Sequence, residues 1–322
     1  MKPNLLIVGN PTPRMMTQLT DRFVIHRLSE IDDPQAFLKA NGDSIEGVAT
    51  NGHDGVKPEL MAALPNLKVV SCFGVGYDGI DATAAAERGI VVTHTPNVLN
   101  DDVANTAIML MLAVSRRLVH DDSWVRSGKW KSQGSAPLTR SIENKPVGIL
   151  GMGRIGQKIA EKLRAFNCDL AYHSRNEKAD IPYRYYSDLT AMARDVDYLV
   201  VITPGGAATR HLVDRQVIDA LGPEGTLINI ARGSVVDEAE LVKALEDGRL
   251  GGAGLDVFEN EPDVPAALIA MDNVVLTPHV GSATVETRQA MGDLTVENLV
   301  RYFDEGKVTS AVPECAQLPA AR

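Results

Sequence analysis

Three cysteines in 322 residues, at positions 72, 168 and 315, are too few and too far apart for a disulfide framework or a thiolate metal cluster. They read as packing residues of a chain kept in a reducing compartment. Positive charge is also short. Lys and Arg total 32 against 42 Asp and Glu, a formal charge of −10, which argues against nucleic acid or an anionic membrane surface as the main partner. An anionic substrate would therefore need a local basic site. Long apolar runs are missing too: the longest, Ala107 to Val114, falls well short of the ~20 residues of a membrane span. The opening MKPNLLIVGN places its apolar run directly before Gly9 with no small-residue cleavage site, so it reads as a first strand rather than a targeting segment. The expectation is a cytosolic protein. Histidines 26, 53, 94, 120, 173 and 211 show no metal-ligand spacing, and no metal is expected.

What is present is an ordinary globular composition, 44% hydrophobic and 23% charged, in a chain long enough for two cores. Short apolar runs alternate with helical patterns: Leu5 to Val8, Gly47 to Ala49, Val69 to Cys72, Val91 to Thr93, Val147 to Leu150, Leu170 to His173, Tyr198 to Thr203, Thr226 to Ile230, Gly252 to Asp256 and Asn273 to Thr277. That rhythm predicts an α/β protein with parallel sheets flanked by helices, and so many strands would crowd a single sheet. Pro96 breaks the chain before a long helix that Asn100 or Asp101 can cap, and another helix begins after Gly281. The simplest architecture has two Rossmann-like domains: a discontinuous substrate domain, 1–97 plus 285–322, and a dinucleotide-binding domain, 98–284.

Within the second, Val147 to Leu150 leads into Gly151-Met152-Gly153-Arg154-Ile155-Gly156, a helical segment, and a further strand starting at Asp169, 13 residues past the last glycine. A GxGxxG alone is weak evidence, but here it has the strand and helix that it requires. Gly151 permits the tight turn, Gly153 lets backbone approach a pyrophosphate, Gly156 lets the helix pack on the strand, and the helix N-terminus faces the anion.

Three chemically apt residues stand after later strands. Arg232 follows Ile230, Glu261 lies in the loop after Asp256, and His279 comes two residues past Thr277. Ligands of open parallel sheets bind beyond the carboxyl ends of the strands, so these side chains can converge. A guanidinium grips a carboxylate bidentately, an imidazole donates a proton to a developing alkoxide, and a carboxylate orients that imidazole. Singly, Arg-Gly is a common surface turn and ENEPD an ordinary acidic loop. Their joint placement points to reduction of an anionic carbonyl compound.

The motifs VVSCFGVGYDGID, GMGRIG, INIARGSVVDEAELVKAL, GGAGLDVFENEP and TPHVGSAT, in that order, make the chain resemble the D-2-hydroxyacid dehydrogenases over nearly its whole length. Within that family NDDVANTAI, AYHSRN and LGPEGTLINIARG look most like glyoxylate/hydroxypyruvate reductases and plant hydroxyphenylpyruvate reductases. The resemblance implies a catalytic trio of Arg232, Glu261 and His279. It places Asp256, with Ile230, Ala231 and Gly281, at the nicotinamide, and gives the substrate carboxylate the main-chain N–H groups of Val75 and Gly76, with Asn51 and Gly52 nearby. A homodimer built on the dinucleotide domain is implied in the same way. One departure stands out. Relatives often read Pro-x-Thr-x-x-Thr after the third strand of this domain, whereas here Pro204 and Thr209 remain and the middle threonine is gone.

An NAD-preferring unit carries Asp or Glu at the tip of its second strand, about 20 residues past the glycines. Here the tip reads His173-Ser174-Arg175-Asn176, with no carboxylate to repel a 2′-phosphate, and Ser174 and Arg175 can hold that dianion. The expected cofactor is NADPH and the expected substrate a small 2-keto acid. A dinucleotide-sensing regulatory protein on the same fold is the alternative. Such a protein needs the glycine motif but not a proton donor, and the joint presence of Arg232, Glu261 and His279 favours the enzyme.

Overall fold

In the computed structural model, which describes residues 2–321, the apolar runs become parallel strands. Five of them, β1 (Asn4–Ile7), β2 (Val24–Arg27), β3 (Ile45–Asn51), β4 (Val69–Phe73) and β5 (Val91–Thr93), form a sheet in the order β2-β1-β3-β4-β5. Seven more, β6 (Pro146–Leu150), β7 (Asp169–His173), β8 (Arg184–Tyr185), β9 (Tyr198–Val201), β10 (Thr226–Asn229), β11 (Gly252–Leu255) and β12 (Val274–Leu276), form a second, ordered β12-β11-β10-β9-β6-β7-β8. Every strand pairing within the two sheets is parallel. The α/β class with two Rossmann-like sheets is thus the one that the sequence pattern indicates.

Helices cover both faces of a parallel sheet, so its central strands are apolar on both sides. Leu5, Leu6, Ile7, Val69, Val70 and Val92 are buried in the first sheet, and Val147, Ile149, Leu199, Val200, Leu227 and Ile228 in the second. Each such side chain contributes about 1.5–3 kcal/mol of transfer free energy. The edge strands β2 and β8 had no counterpart among the expected runs. Both are partly exposed along their length, so polar residues such as His26, Arg27 and Arg184 are tolerated and no apolar run marks them.

The chain divides into two units. One runs to Leu99 and resumes at Ala283, and the other spans Asn100–Ser282. Against expected breaks at 97/98 and 284/285, the observed ones fall where the helix Asn100–Ser115 starts and just before Thr284 caps the helix Val285–Glu305. Asn100 and Asp101, expected as caps, are already in the first helical turn. Elsewhere Thr12, Asp33, Asp81, Asp188, Asp214 and Asp237 each accept a hydrogen bond from a first-turn amide, a cap of about 1 kcal/mol apiece. In the second sheet the strand order reverses between β6 and β9, and such a switch point opens a crevice at the carboxyl edge. Gly151, Ile202, Ile230, Asp256 and Thr277 all lie just beyond that edge.

Candidate active site

The β6 turn is shaped by absent side chains. Gly151 sits at φ +107, and a Cβ there would stand 2.8 Å from the Ile202 carbonyl oxygen. At Gly156 a Cβ would collide with the Gly151 carbonyl, so glycine lets the helix Arg154–Leu163 press on its own strand. A Cβ on Gly153 would meet nothing, which leaves open space in front of the helix. Gly153 also heads this helix without a side-chain cap, so the first-turn N–H groups keep their capacity for an anion. Met152 is buried and offers only backbone here, whereas Arg154 is exposed and Ile155 partly so. At the tip of β7, Ser174 is half-buried and Arg175 exposed, and the Ser174 hydroxyl donates to the Asn176 carbonyl at 2.7 Å. The donor set fits a dinucleotide carrying a 2′-phosphate: a glycine cradle with space in front, then a hydroxyl and a guanidinium where a carboxylate would repel.

Two of the three catalytic candidates touch. His279 Nδ1 lies 2.7 Å from Glu261 Oε2, and the Phe258 N–H donates to the other carboxylate oxygen at 3.0 Å. Burial pushes Glu261 up, but the hydrogen bonds from His279 and Phe258 and the charges of His279 and Arg232 outweigh it and hold the carboxyl below its ordinary value. Arg232 is thereby tied to the pair electrostatically. Its Nη1 donates to the Ala231 carbonyl at 2.7 Å, and the turn beneath it is braced by Asn229, whose amide donates to the Arg232 carbonyl and accepts from the Ala231 N–H.

Asp256 braces the histidine. Its buried carboxylate accepts from the Val280 N–H at 2.8 Å, the Gly281 N–H at 2.8 Å and the Thr277 hydroxyl at 2.7 Å. The Asp256 carbonyl takes the His279 N–H at 2.8 Å. The three residues expected beside it at the nicotinamide, Ile230, Ala231 and Gly281, are all buried, and Ile230 and Ala231 lie just beyond the same edge. The loop Pro204–Thr209 closes on itself: the Thr209 hydroxyl donates to the Pro204 carbonyl at 2.7 Å. That bond keeps the loop compact without the missing threonine. Behind it Arg210 and His211 both reach Glu259, at 2.7 and 3.0 Å, joining the loop after β9 to the loop after β11. Glu238 accepts the Glu259 N–H, and burial, with the neighbouring Glu259 and Glu261 charges, raises it.

In the first unit the turn after β4 has its carbonyls drawn back. Gly74 O accepts from the Thr95 N–H at 2.8 Å, Val75 O is 3.0 Å from His94 Nδ1, and Gly76 O is 3.6 Å from Cys72 Sγ. In a trans peptide the N–H points opposite to the carbonyl, so the Val75 and Gly76 N–H groups share the other side. Gly52 N is 3.9 Å from where a Gly74 Cβ would stand. The Asn51 side chain serves its own turn: Oδ1 accepts from the His53 and Asp54 N–H groups, and Nδ2 donates to Asp54 at 2.6 Å.

Residues 108–281 match the family model described as D-isomer specific 2-hydroxyacid dehydrogenase, NAD binding domain. The chain is 52% identical to a glyoxylate/hydroxypyruvate reductase A of Arabidopsis thaliana, covering 89% of this chain and 91% of that one. It belongs to the D-isomer-specific 2-hydroxyacid dehydrogenase family. This dehydrogenase is also 50% identical to a hydroxyphenylpyruvate reductase of Plectranthus scutellarioides over the same shares of the two chains. Among solved structures it is similar to an NADPH-dependent glyoxylate/hydroxypyruvate reductase of Sinorhizobium meliloti crystallised with NADP and malonate, at 46% identity, TM-score 0.93 and 98% of either chain. The family makes it an oxidoreductase of the 2-hydroxy acid and 2-keto acid couple. Sequence reasoning missed Asn229, Thr277, Glu238, Glu259, His211 and His94 in this dehydrogenase. Asn229 braces its own turn, and each of the others acts by touching a segment distant in the chain, which no local spacing encodes.

Proposed function

We propose that the enzyme reduces a small 2-keto acid of the glyoxylate or hydroxypyruvate kind with NADPH, His279 being the general acid. The observation that carries this reading is the 2.7 Å contact between His279 Nδ1 and Glu261, with Arg232 close enough to help hold that carboxylate ionised. With Nδ1 turned to Glu261, Nε2 is the nitrogen left for substrate. The nicotinamide, when bound, supplies the hydride that adds to C2. The carbonyl electron pair moves onto oxygen, which takes a proton from His279 Nε2. Arg232 is assigned to the substrate carboxylate, because its planar fork matches two oxygens and the chain as a whole is acidic. The Val75–Gly76 turn, with Gly52, is read as an anion-binding turn for 2-keto acid carboxylates.

Gly151 to Gly156 are assigned to the pyrophosphate, and Ser174 and Arg175 to the 2′-phosphate. Asp256 uses three of a carboxylate's roughly four acceptor sites on the loop after β12, so one lone pair remains for the nicotinamide amide. The backbone of Ile230 and Ala231, Gly281, and the Pro204–Thr209 loop are assigned to the same end of the cofactor. NADPH dependence of the Sinorhizobium meliloti relative supports this choice. The test is kcat/KM with NADPH and NADH across glyoxylate, hydroxypyruvate, pyruvate and phenylpyruvate. NADPH is expected to be preferred, and Arg175→Ala to lower its use roughly ten- to a hundredfold while leaving NADH nearly untouched. Equal efficiency with both cofactors, or turnover of no 2-keto acid, would overturn the reading.

A further inference from the structure

The loop that carries Ser174 and Arg175 is pinned at both ends by phenol groups. Tyr172, fully buried in β7, has its hydroxyl 2.9 Å from the Lys178 N–H, which donates to it, and 3.4 Å from the Lys178 carbonyl. Tyr185, in the neighbouring β8, donates its hydroxyl to the Ser174 carbonyl at 3.2 Å. The two rings pack 5.4 Å apart at 48°. His173 is fixed alongside through its Nδ1, 2.9 Å from the Tyr186 carbonyl. Inside the loop the Ser174 hydroxyl reaches the Asn176 carbonyl, and Arg175, Asn176 and Glu177 stand exposed at its apex.

We infer that Tyr172 and Tyr185 are specificity-positioning residues, whose hydroxyls hold the Ser174–Lys178 loop in the shape that receives a 2′-phosphate. The inference rests on the NADPH reading above. The physical argument is one of preorganisation. A five-residue polar loop on an edge strand would otherwise be ordered only when ligand binds, and that ordering subtracts from affinity. Tyr185 also sets a direction: with the Ser174 carbonyl drawn toward β8, the Arg175 N–H points the opposite way and becomes a main-chain donor beside the Ser174 hydroxyl. The 5′ side of the dinucleotide rests on the β6 turn instead, which neither tyrosine hydroxyl touches. A loss of loop shape should therefore be felt by the 2′-phosphate alone.

Calorimetric titration of the full-length protein with adenosine 2′,5′-bisphosphate and with 5′-AMP separates the possibilities. The wild-type chain should bind the bisphosphate more tightly. Tyr185→Phe and Tyr172→Phe keep the rings and their packing, and each should weaken the bisphosphate by roughly three- to tenfold with AMP unchanged. In Tyr172→Phe the Lys178 amide should also exchange with solvent deuterium faster than in the parent chain. An unchanged affinity ratio in both Phe variants, or equal weakening of both ligands, would overturn the inference while leaving the cofactor reading intact. A wild-type protein that binds the two ligands alike would remove the cofactor reading and the inference with it.

Discussion

At His279 the backbone stands at φ +52, a left-handed conformation that costs a side-chain-bearing residue about 1–2 kcal/mol. The surrounding bonds impose it. Asp256 takes the His279 N–H on its carbonyl and the next two N–H groups on its carboxylate, so the imidazole is aimed by the turn rather than by its own preference. A side chain held in this way suits the proton transfer proposed for it. His279→Ala should cut turnover by about 10²–10⁴ with dinucleotide binding largely retained, read by steady-state kinetics beside a cofactor titration. Wild-type turnover in that variant would remove the histidine from the mechanism. Glu261 adds a pH dependence whose sign follows from its lowered value. A carboxyl held below its unfolded value stabilises the fold fully above that unfolded value, and the contribution is lost as pH falls through the folded-state value. Tm of the wild-type protein should therefore fall more steeply than that of Glu261→Gln between about pH 5 and pH 3. Parallel curves would mean that the carboxylate gains nothing from its partners.

The elements of this fold supply their chemistry through turns at strand ends, and those turns are shaped by bonds to other elements. The Gly74–Gly76 turn shows it. Three carbonyls are drawn back by Thr95, His94 and Cys72, which turns the Val75 and Gly76 N–H groups, proposed above to take the substrate carboxylate, to the other side. His94→Ala frees the Val75 carbonyl, so KM for the keto acid should rise several-fold, by the worth of about one hydrogen bond, with a smaller change in kcat. His94→Asn, which keeps a donor, should recover part of the loss. An equal fall in kcat and kcat/KM would assign His94 to the chemical step instead. The same dependence explains what was legible in the sequence. Central strands were readable because burial on both faces leaves continuous apolar runs, and the glycine turn because Gly151 and Gly156 answer steric demands while Gly153 leaves space in front of the helix. Arg232, Glu261 and His279 could be picked out because each follows a readable strand. The edge strands β2 and β8 were not, since a half-exposed strand keeps no such signature. Nor was the bracing of His279 by Asp256, or of the loop after β11 by Arg210 and His211, because those bonds join segments that only the fold brings together.

For the whole molecule, the uneven distribution of exposed apolar surface matters more than the net charge of −10. Met109, Leu118, Val119, Val125, Trp130 and Leu138 are all exposed, and all fall within one stretch of the second unit. Met109 and Leu118 also line a groove of about 730 Å³ with Ile108, Leu112 and Ala165, and with Arg116 and Lys162 among its polar residues. Single exposed hydrophobics are ordinary, but six within one thirty-residue stretch, next to an apolar groove, are the composition of an interaction surface. The proposed occupant is a second copy of the chain, packed two-fold so that the same patch serves both subunits. Net charge opposes this arrangement, since two acidic chains repel, so the association must rest on apolar area and should persist at high salt, where screening removes that repulsion. Burying one such side chain contributes about 1.5–3 kcal/mol, and in a two-fold contact each substitution counts twice. Light scattering on the eluting peak should therefore give the mass of two chains for the wild-type protein in low and high salt alike. Leu118→Glu, which puts two carboxylates into the contact, should shift the protein toward the mass of one chain at low micromolar concentration while its Tm in the presence of NADPH stays above its ligand-free value. A wild-type protein that elutes as a single chain, or a Leu118→Glu variant with unchanged mass, would place the dimer contact elsewhere or remove it.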